Sequence, residues 1–283
     1  MTILTNPVVP GAGVAPVAIC VAPNGARKTR SDHPALPMSS EDMVRTALAC
    51  AEAGATALHL HVRDDKGGHS LDVQRYREVL RALDAALGQR LLVQVTTEAV
   101  GIYQPEQQRA LLRELHPQAA SVALRELIPD KSHEQASGDL FHWAMRQGVA
   151  LQYILYSAED AARFRQLVRS GVVPHARPHA LFVLGRYTAG QQSEATGLLP
   201  FLHEWPSDWP WSACAFGVAE ARCMAAAIAL GGHVRIGFEN NVHLPDGSVA
   251  DGNADLVRNV AAIAMGTGRP LASAAETRAL YGA

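Results

Sequence analysis

Two histidines one residue apart, His59 and His61, lie in the run H-L-H-V-R-D at 59–64. In an extended strand, residues two apart project from the same face, so both imidazoles point one way if this stretch is a strand. Two imidazole nitrogens at a strand end are a ready pair of ligands for Zn²⁺. They are equally well read as two histidines hydrogen-bonded in a polar pocket. A third donor stands far along the chain, in V-R-I-G-F-E-N-N at 234–241. Arg235, Gly237 and Glu239 share one parity, so an inward Glu239 carries Arg235 inward with it. Two histidines and a glutamate with one position open describe a catalytic zinc site rather than a structural one. Arg235 would then hold a substrate carboxylate or an oxyanion. The other reading is a salt bridge between Arg235 and Glu239 that closes the interior.

These residues can meet only if the intervening elements bring them together. Short apolar runs at 16–22, 56–62, 91–97, 119–124, 150–156, 180–185, 211–217 and 233–239 read as strands. Amphipathic stretches at 40–53, 72–87, 104–115, 137–147, 158–170, 194–203, 218–230 and 251–265 read as helices between them. Ser39 or Ser40 before Glu41 and Asp42, and Ser157 before Glu159 and Asp160, are helix-start signals. Gly54, Gly88, Gly148 and Gly171 fall where helices should stop. Eight βα units with no linker predict an α/β fold, a single (β/α)8 TIM barrel, as one catalytic domain over 1–283. In such a barrel the second and eighth strands both flank the first, so Glu239 can approach His59 and His61. A doubly wound open sheet is the other candidate, but neither G-x-G-x-x-G nor a P-loop motif occurs. The long segments 23–38 and 186–210 fall after strands, where a barrel keeps its active site. Trp205, Trp209 and Trp211 read as a packed loop, and His175 and His179 as surface or loop residues.

Composition narrows the function classes. The 283 residues carry a formal net charge of −2, 18% charged and 48% hydrophobic, which is a globular balance without the basic excess of a nucleic-acid binder. Four cysteines occur without a C-x-x-C pair, so neither a zinc ribbon nor a disulfide framework is expected. The first 26 residues lack Lys and Arg, so the cationic start of a secretory signal is missing. The apolar run at 224–230 is far short of the roughly 20 residues that cross a bilayer. A cytoplasmic protein that binds neither membrane nor nucleic acid is expected.

Several motifs together resemble the β-keto acid cleavage enzymes, a family whose named member is the 3-keto-5-aminohexanoate cleavage enzyme. They are Asn24-Gly25-Ala26 after the first strand, His33-Pro34-Ala35-Leu36-Pro37, the H-L-H-V-R-D run and Thr96-Thr97. V-R-I-G-F-E-N-N and the closing Gly268-Arg269-Pro270-Leu271-Ala272-Ser273 complete the set. The resemblance implies a (β/α)8 barrel with one Zn²⁺ on His59, His61 and Glu239. It implies condensation of a β-keto acid with acetyl-CoA, giving acetoacetate and a new acyl-CoA, in a homo-oligomer, dimer or tetramer. Arg235 matches the family's catalytic arginine. Arg27, Thr97, Glu98 and Ser121 are expected to bind substrate.

The departures matter too. Where the family commonly has a proton-handling Asp, this chain has Asn240, which cannot accept a proton at neutral pH. Its fifth strand reads Leu151-Gln152-Tyr153-Ile154 where acids are common. The expected catalytic set is therefore Arg235, Asn240 at the acid's position, and Glu126 as base ahead of Glu98. Zinc and Arg235 should keep Glu126 ionised. Arg27 stands where the aminated-substrate member has an acid, so the substrate's distal end is expected to be neutral or anionic. Two further readings are a barrel metallohydrolase, poorly matched by P-V-A-I-C-V-A and Tyr156 at its histidine positions, and a zinc-binding barrel without this activity.

Overall fold

Strand β1 (Ile19–Val21) is followed by helix α1 (Ser40–Glu52), β2 (Ala57–Leu60), the hairpin strands β3 (Val62–Arg63) and β4 (His69–Ser70), and α2 (Val73–Leu87). Then come β5 (Leu92–Thr96), α3 (Pro105–Leu115), β6 (Ala119–Ala123), α4 (Leu124–Leu127), α5 (Glu134–Gln147) and β7 (Ala150–Leu155). The chain continues through α6 (Ala158–Arg169), β8 (His179–Leu184), α7 (Leu198–Glu204) and β9 (Trp211–Ala215). It ends with α8 (Glu220–Ala229), β10 (His233–Ile236), α9 (Asn253–Gly266) and α10 (Ala274–Tyr281). This is a computed structural model, and it describes residues 14–283. Residues 1–13 of the expected domain lie outside the described residues.

Eight strands close a parallel barrel in the order β1-β10-β9-β8-β7-β6-β5-β2, which is the expected (β/α)8 architecture. The order puts β2 and β10 on either side of β1. Buried on both faces, the strands read as short apolar runs rather than alternating ones. The helices wrap the barrel, and Phe141, Phe164 and Phe182 are fully buried between the two layers. Each such side chain contributes about 1.5–3 kcal/mol by leaving water. The serine caps form as expected: Ser39 makes a capping box with Asp42, and Ser157 accepts from the Asp160 N–H. No helix among the described residues is long and apolar enough to cross a membrane.

Inside the barrel the lowest layer is small and apolar. Cys20, Ala57, Leu92, Ala119 and Ala150 cluster there against Tyr281 of α10, which plugs that end. His179 belongs to this interior, not to a surface loop as expected. It opens β8, is 2% exposed, lies 2.9 Å from Ser212 Oγ and packs edge-on against Tyr281 at 4.5 Å. The proline-rich lead-in hid the strand's first residue. His175 does lie in the loop before it.

Strand β10 was expected to run to Glu239 and stops at Ile236 instead. Gly237 adopts φ +133°, a region closed to most side chains, and a Cβ there would meet Ala22 O at 2.5 Å. Glu239 is therefore carried by a turn over 237–241, which Glu220 holds from below. The Glu220 carboxyl accepts from Gly237 N (3.3 Å) and Asn241 Nδ2 (3.2 Å), and Phe238 N donates to Asn253 Oδ1 at 2.8 Å.

Burial pushes the Glu220 carboxyl up to about 8, so the folded state holds it neutral. A raised carboxyl contributes stability that is complete below the ordinary carboxylate range and is lost as pH rises through about 8. Glu220 should contribute about 3–4 kcal/mol to the stability lost between pH 5 and pH 9 in chemical unfolding, because each pH unit crossed below the folded value removes about 1.4 kcal/mol. Glu220→Gln should remove that contribution. An equally steep dependence in the variant would mean that Glu220 is not its source.

Candidate active site

The described residues place His59, His61 and Glu239 together at the barrel mouth, with one ligand atom from each within 4.8 Å of the others. His59 projects from β2, and His61 follows it just beyond the strand's end. Their Nε2 atoms are 3.1 Å apart and lie 3.7 and 3.4 Å from Glu239 Oε2. Both histidines are buried, at 1% and 2% exposure.

The protonation of His59 is set from behind. Its Nδ1 lies 2.9 Å from Gln94 Oε1, and Gln94 Nε2 donates to Gln152 Oε1 at 3.1 Å. Gln152 Nε2 in turn lies 3.2 Å from His179 Nε2. The amide chain leaves Gln94 Oε1 as the acceptor, so His59 carries its proton on Nδ1 and presents a bare Nε2. Burial, then Arg235, push His59 down to about 3, which keeps it neutral. Gln152 thus sits below the mouth as part of this chain.

Arg235 is 3% exposed. Its Nη2 donates to Glu239 Oε1 at 3.1 Å and to Cys214 Sγ at 3.5 Å, whereas Nε and Nη1 have no partner among the described residues. Burial opposes a charged Glu239, but Arg235 beside it outweighs this and holds the carboxyl well below its usual range. Glu239 Oε2 and His61 Nδ1 are also buried without a hydrogen-bond partner among the described residues. A bare imidazole nitrogen, a second one facing it and an unpaired carboxylate oxygen form a donor set that fits a divalent cation such as Zn²⁺.

A cavity of about 120 Å³ opens beside this group, sized for a small acid. Most of the expected site residues line it. Thr97 Oγ1 donates to Ser121 O at 3.0 Å, and the Ser121 hydroxyl is buried without a partner among the described residues. Glu98 faces Arg186, Oε1 to Nη2 3.5 Å. Arg27 is exposed on the rim. Glu126 stands on α4, where its Oε2 accepts from Ala99 N (2.9 Å) and Gln108 Nε2 (2.8 Å). It was expected to be ionised, yet burial pushes it up to about 7, and the cation that acts against this is Arg186. Asn240 is buried behind Glu239, away from the cavity wall, with both amide atoms unpartnered among the described residues.

Three residues escaped the sequence reading. Lys28 Nζ donates to the carbonyls of Phe238 (2.7 Å) and Glu239 (3.2 Å), strapping the turn over 237–241 to the first loop. Arg63, inside the H-L-H-V-R-D run, donates to Gly25 O (2.6 Å) and Lys28 O (2.9 Å) and shapes that loop. Arg186 enters the cavity from the loop after β8. Their positions next to Arg27, His61 and the long segment from 186 were the available signals.

The chain is similar to known proteins along most of its length. The chain is 28% identical over 270 residues to a 3-keto-5-aminohexanoate cleavage enzyme of Acetoanaerobium sticklandii, covering 94% of this chain and 96% of that one. Its likeness to the enzyme of the same name from Fusobacterium nucleatum is 30%, over 92% and 94%. A 3-oxoadipate:acetyl-CoA acetyltransferase of Cupriavidus necator is 30% identical over 94% and 95%. Among solved structures, apo ObcA superposes with a TM-score of 0.71 at 16% identity, over 88% of this chain and 66% of that longer one. A 3-dehydroquinate dehydratase of Geobacillus kaustophilus does so with 0.59 at 14%, over 89% and 93%. The two structures speak to the barrel alone. Residues 16–282 match the β-keto acid cleavage enzyme family, and the chain belongs to that family.

Proposed function

We propose that this chain is a zinc-dependent enzyme that condenses a β-keto acid with acetyl-CoA, yielding acetoacetate and a new acyl-CoA. One observation carries the reading. Arg235 is a buried guanidinium that lines a cavity the size of a small acid, beside three convergent groups able to hold a metal. Zn²⁺ held by His59, His61 and Glu239 would supply Lewis acidity to the keto oxygen and carboxylate of the substrate. The Arg235 guanidinium, which lines the cavity, binds the carboxylate and neutralises charge as it develops. Glu126 removes the proton from the carbon between keto and carboxylate groups, and a carboxyl near 7 suits that task at neutral pH. The carbanion attacks the thioester carbonyl of acetyl-CoA and expels the CoA thiolate. The thiolate then attacks the original keto carbon, the old carbon–carbon bond breaks, and the released acetoacetate carbanion recovers the proton from Glu126.

The remaining residues orient and exclude. Ser121 and Thr97 offer hydroxyl oxygens at the cavity floor, and Glu98 keeps Arg186 in place. Asn240 takes no proton; its backbone N–H donates to Gly237 O and its carbonyl accepts from Gly217 N, which steadies the ligand turn. Arg27 on the rim disfavours a cationic distal end and suits the phosphates of CoA, most of which lies outside so small a cavity.

Purified protein should carry about one Zn²⁺ per chain by mass spectrometry, and the His59→Ala/His61→Ala double variant should carry none. Gln94→Leu, which removes the partner of His59 Nδ1, should weaken zinc binding about 10–100-fold. Stoichiometric zinc in the double variant would overturn the ligand assignment. Arg235→Ala should lower kcat by about a hundredfold or more while zinc content stays normal. Unimpaired turnover would return Arg235 to a structural role. Acetoacetate formation should fall as pH drops below about 7, where Glu126 becomes protonated. Glu126→Gln should abolish most activity; full activity in that variant would remove Glu126 as base.

A further inference from the structure

The proposed reaction fixes one end of the substrate at Arg235 and the histidine–glutamate group, on the β2 and β10 side of the mouth. The opposite side describes the other end. There β6, β7, β8 and β9 deliver Ala123, Ile154, Val183 and, just past β9, Phe216, which bury into one apolar cluster with Tyr156 packed on it. Immediately after β8 the chain turns at Gly185, φ +76°, where a Cβ would meet Ser193 Oγ at 2.2 Å. That turn sends Arg186 back over the cavity, its guanidinium above the Phe216 ring at 5.2 Å.

Arg186 is under-partnered for its depth. Its side chain is 17% exposed, and its ionic neighbour among the described residues is Glu98 at 3.5 Å. That distance exceeds the 2.7–3.2 Å of an ordinary N–H···O bond, so the five-donor fork is largely unspent. Glu98 aims the guanidinium without saturating it. A second anion is not repelled by the walls as a whole, because Arg27, Lys28, Arg186 and Arg235 outnumber Glu98, Glu126 and Glu239 around the cavity.

We propose that Arg186 is a specificity-determining residue that binds a second carboxylate, at the distal end of the substrate, so that the preferred substrates are β-keto dicarboxylates. The inference rests on the proposed reaction and adds its substrate class. The acyl chain lies along the apolar wall between two guanidiniums, Arg235 at the reacting end and Arg186 at the far end. Arg27 cannot substitute, since an exposed rim cation is screened by solvent far more than the largely buried Arg186.

The test compares two β-keto acids of equal length, 3-oxoadipate and 3-oxohexanoate, with acetyl-CoA and the holoenzyme. Wild-type kcat/KM should favour the dicarboxylate by about tenfold or more, and Arg186→Gln should cut that ratio by about 10–100-fold, chiefly through KM. Arg186→Lys should recover part of it, because charge survives where the fork is lost. An unchanged ratio, an equal loss on both substrates, or a collapse caused by Arg27→Gln instead would each overturn the assignment. Calorimetric binding of adipate needs no turnover and should weaken about tenfold or more in Arg186→Gln. Turnover of 3-oxohexanoate without dicarboxylate preference sinks this inference alone. Turnover of neither acid, with adipate bound equally by wild type and variant, sinks both it and the proposed reaction.

Discussion

The buried pairing of Arg235 with Glu239 is the constraint from which the rest of the site follows. A guanidinium at 3% exposure inside a closed barrel needs a counter-charge within the same dry space. Glu239 provides it through Oε1 at 3.1 Å and leaves Oε2 for the histidines. No regular strand could place that carboxylate, since β10 ends at Ile236, three residues before Glu239. The chain solves this with a glycine turn fastened on three sides: the neutral Glu220 below, Asn253 behind, and the Lys28 ammonium across the first loop. Breaking a buried pair by removing one partner costs about 3–5 kcal/mol, which is why so much of the surrounding architecture serves one carboxylate.

The same economy of buried polarity governs the layer beneath. A barrel interior is normally filled with branched apolar side chains, yet here His59, Gln94 and Gln152 form a hydrogen-bonded chain that reaches His179. Glutamine suits the middle of such a chain because one amide donates and accepts at once, fixing the direction of every bond in it. That direction is what keeps His59 Nε2 unprotonated at the mouth. Tyr281, arriving from α10, closes the far end and keeps water from competing.

Much of this was legible in the sequence, and the gaps have physical causes. Burial on both faces made all eight strands readable as apolar runs, and strand parity put His59 and His61 on one face. Serine caps marked α1 and α6 because orphan N–H groups at a helix start need an acceptor. The parity argument placed Glu239 correctly for the wrong reason: Gly237 breaks the pleat, and a turn rather than a strand brings the carboxylate in. The short β3–β4 hairpin and the four-residue α4 carry too few residues for a periodic signal. His179 was misplaced because its neighbours Pro174 and Pro178 read as loop. Lys28 and Arg186 were missed because an ordinary cation becomes informative only when its partners are known, and those lie far off in sequence.

Glu239 and Glu126 show how one side-chain type acquires two states across a single cavity. Both are removed from water, which alone would raise both. Glu239 has a guanidinium at hydrogen-bond distance, so its charged form wins and the carboxyl stays well below the usual range. Glu126 has two neutral N–H donors and only a more distant arginine, while Glu98 adds a like charge, so burial prevails and the group settles at about 7. An ionised carboxylate beside the histidines and a carboxyl near 7 are thereby separated without any difference in residue type. A neutral side chain at Asn240 fits this division. A carboxylate immediately after Glu239 would add a second negative charge beside the one that Arg235 already neutralises, whereas the Glu126 carboxyl on α4 lies outside that charge balance.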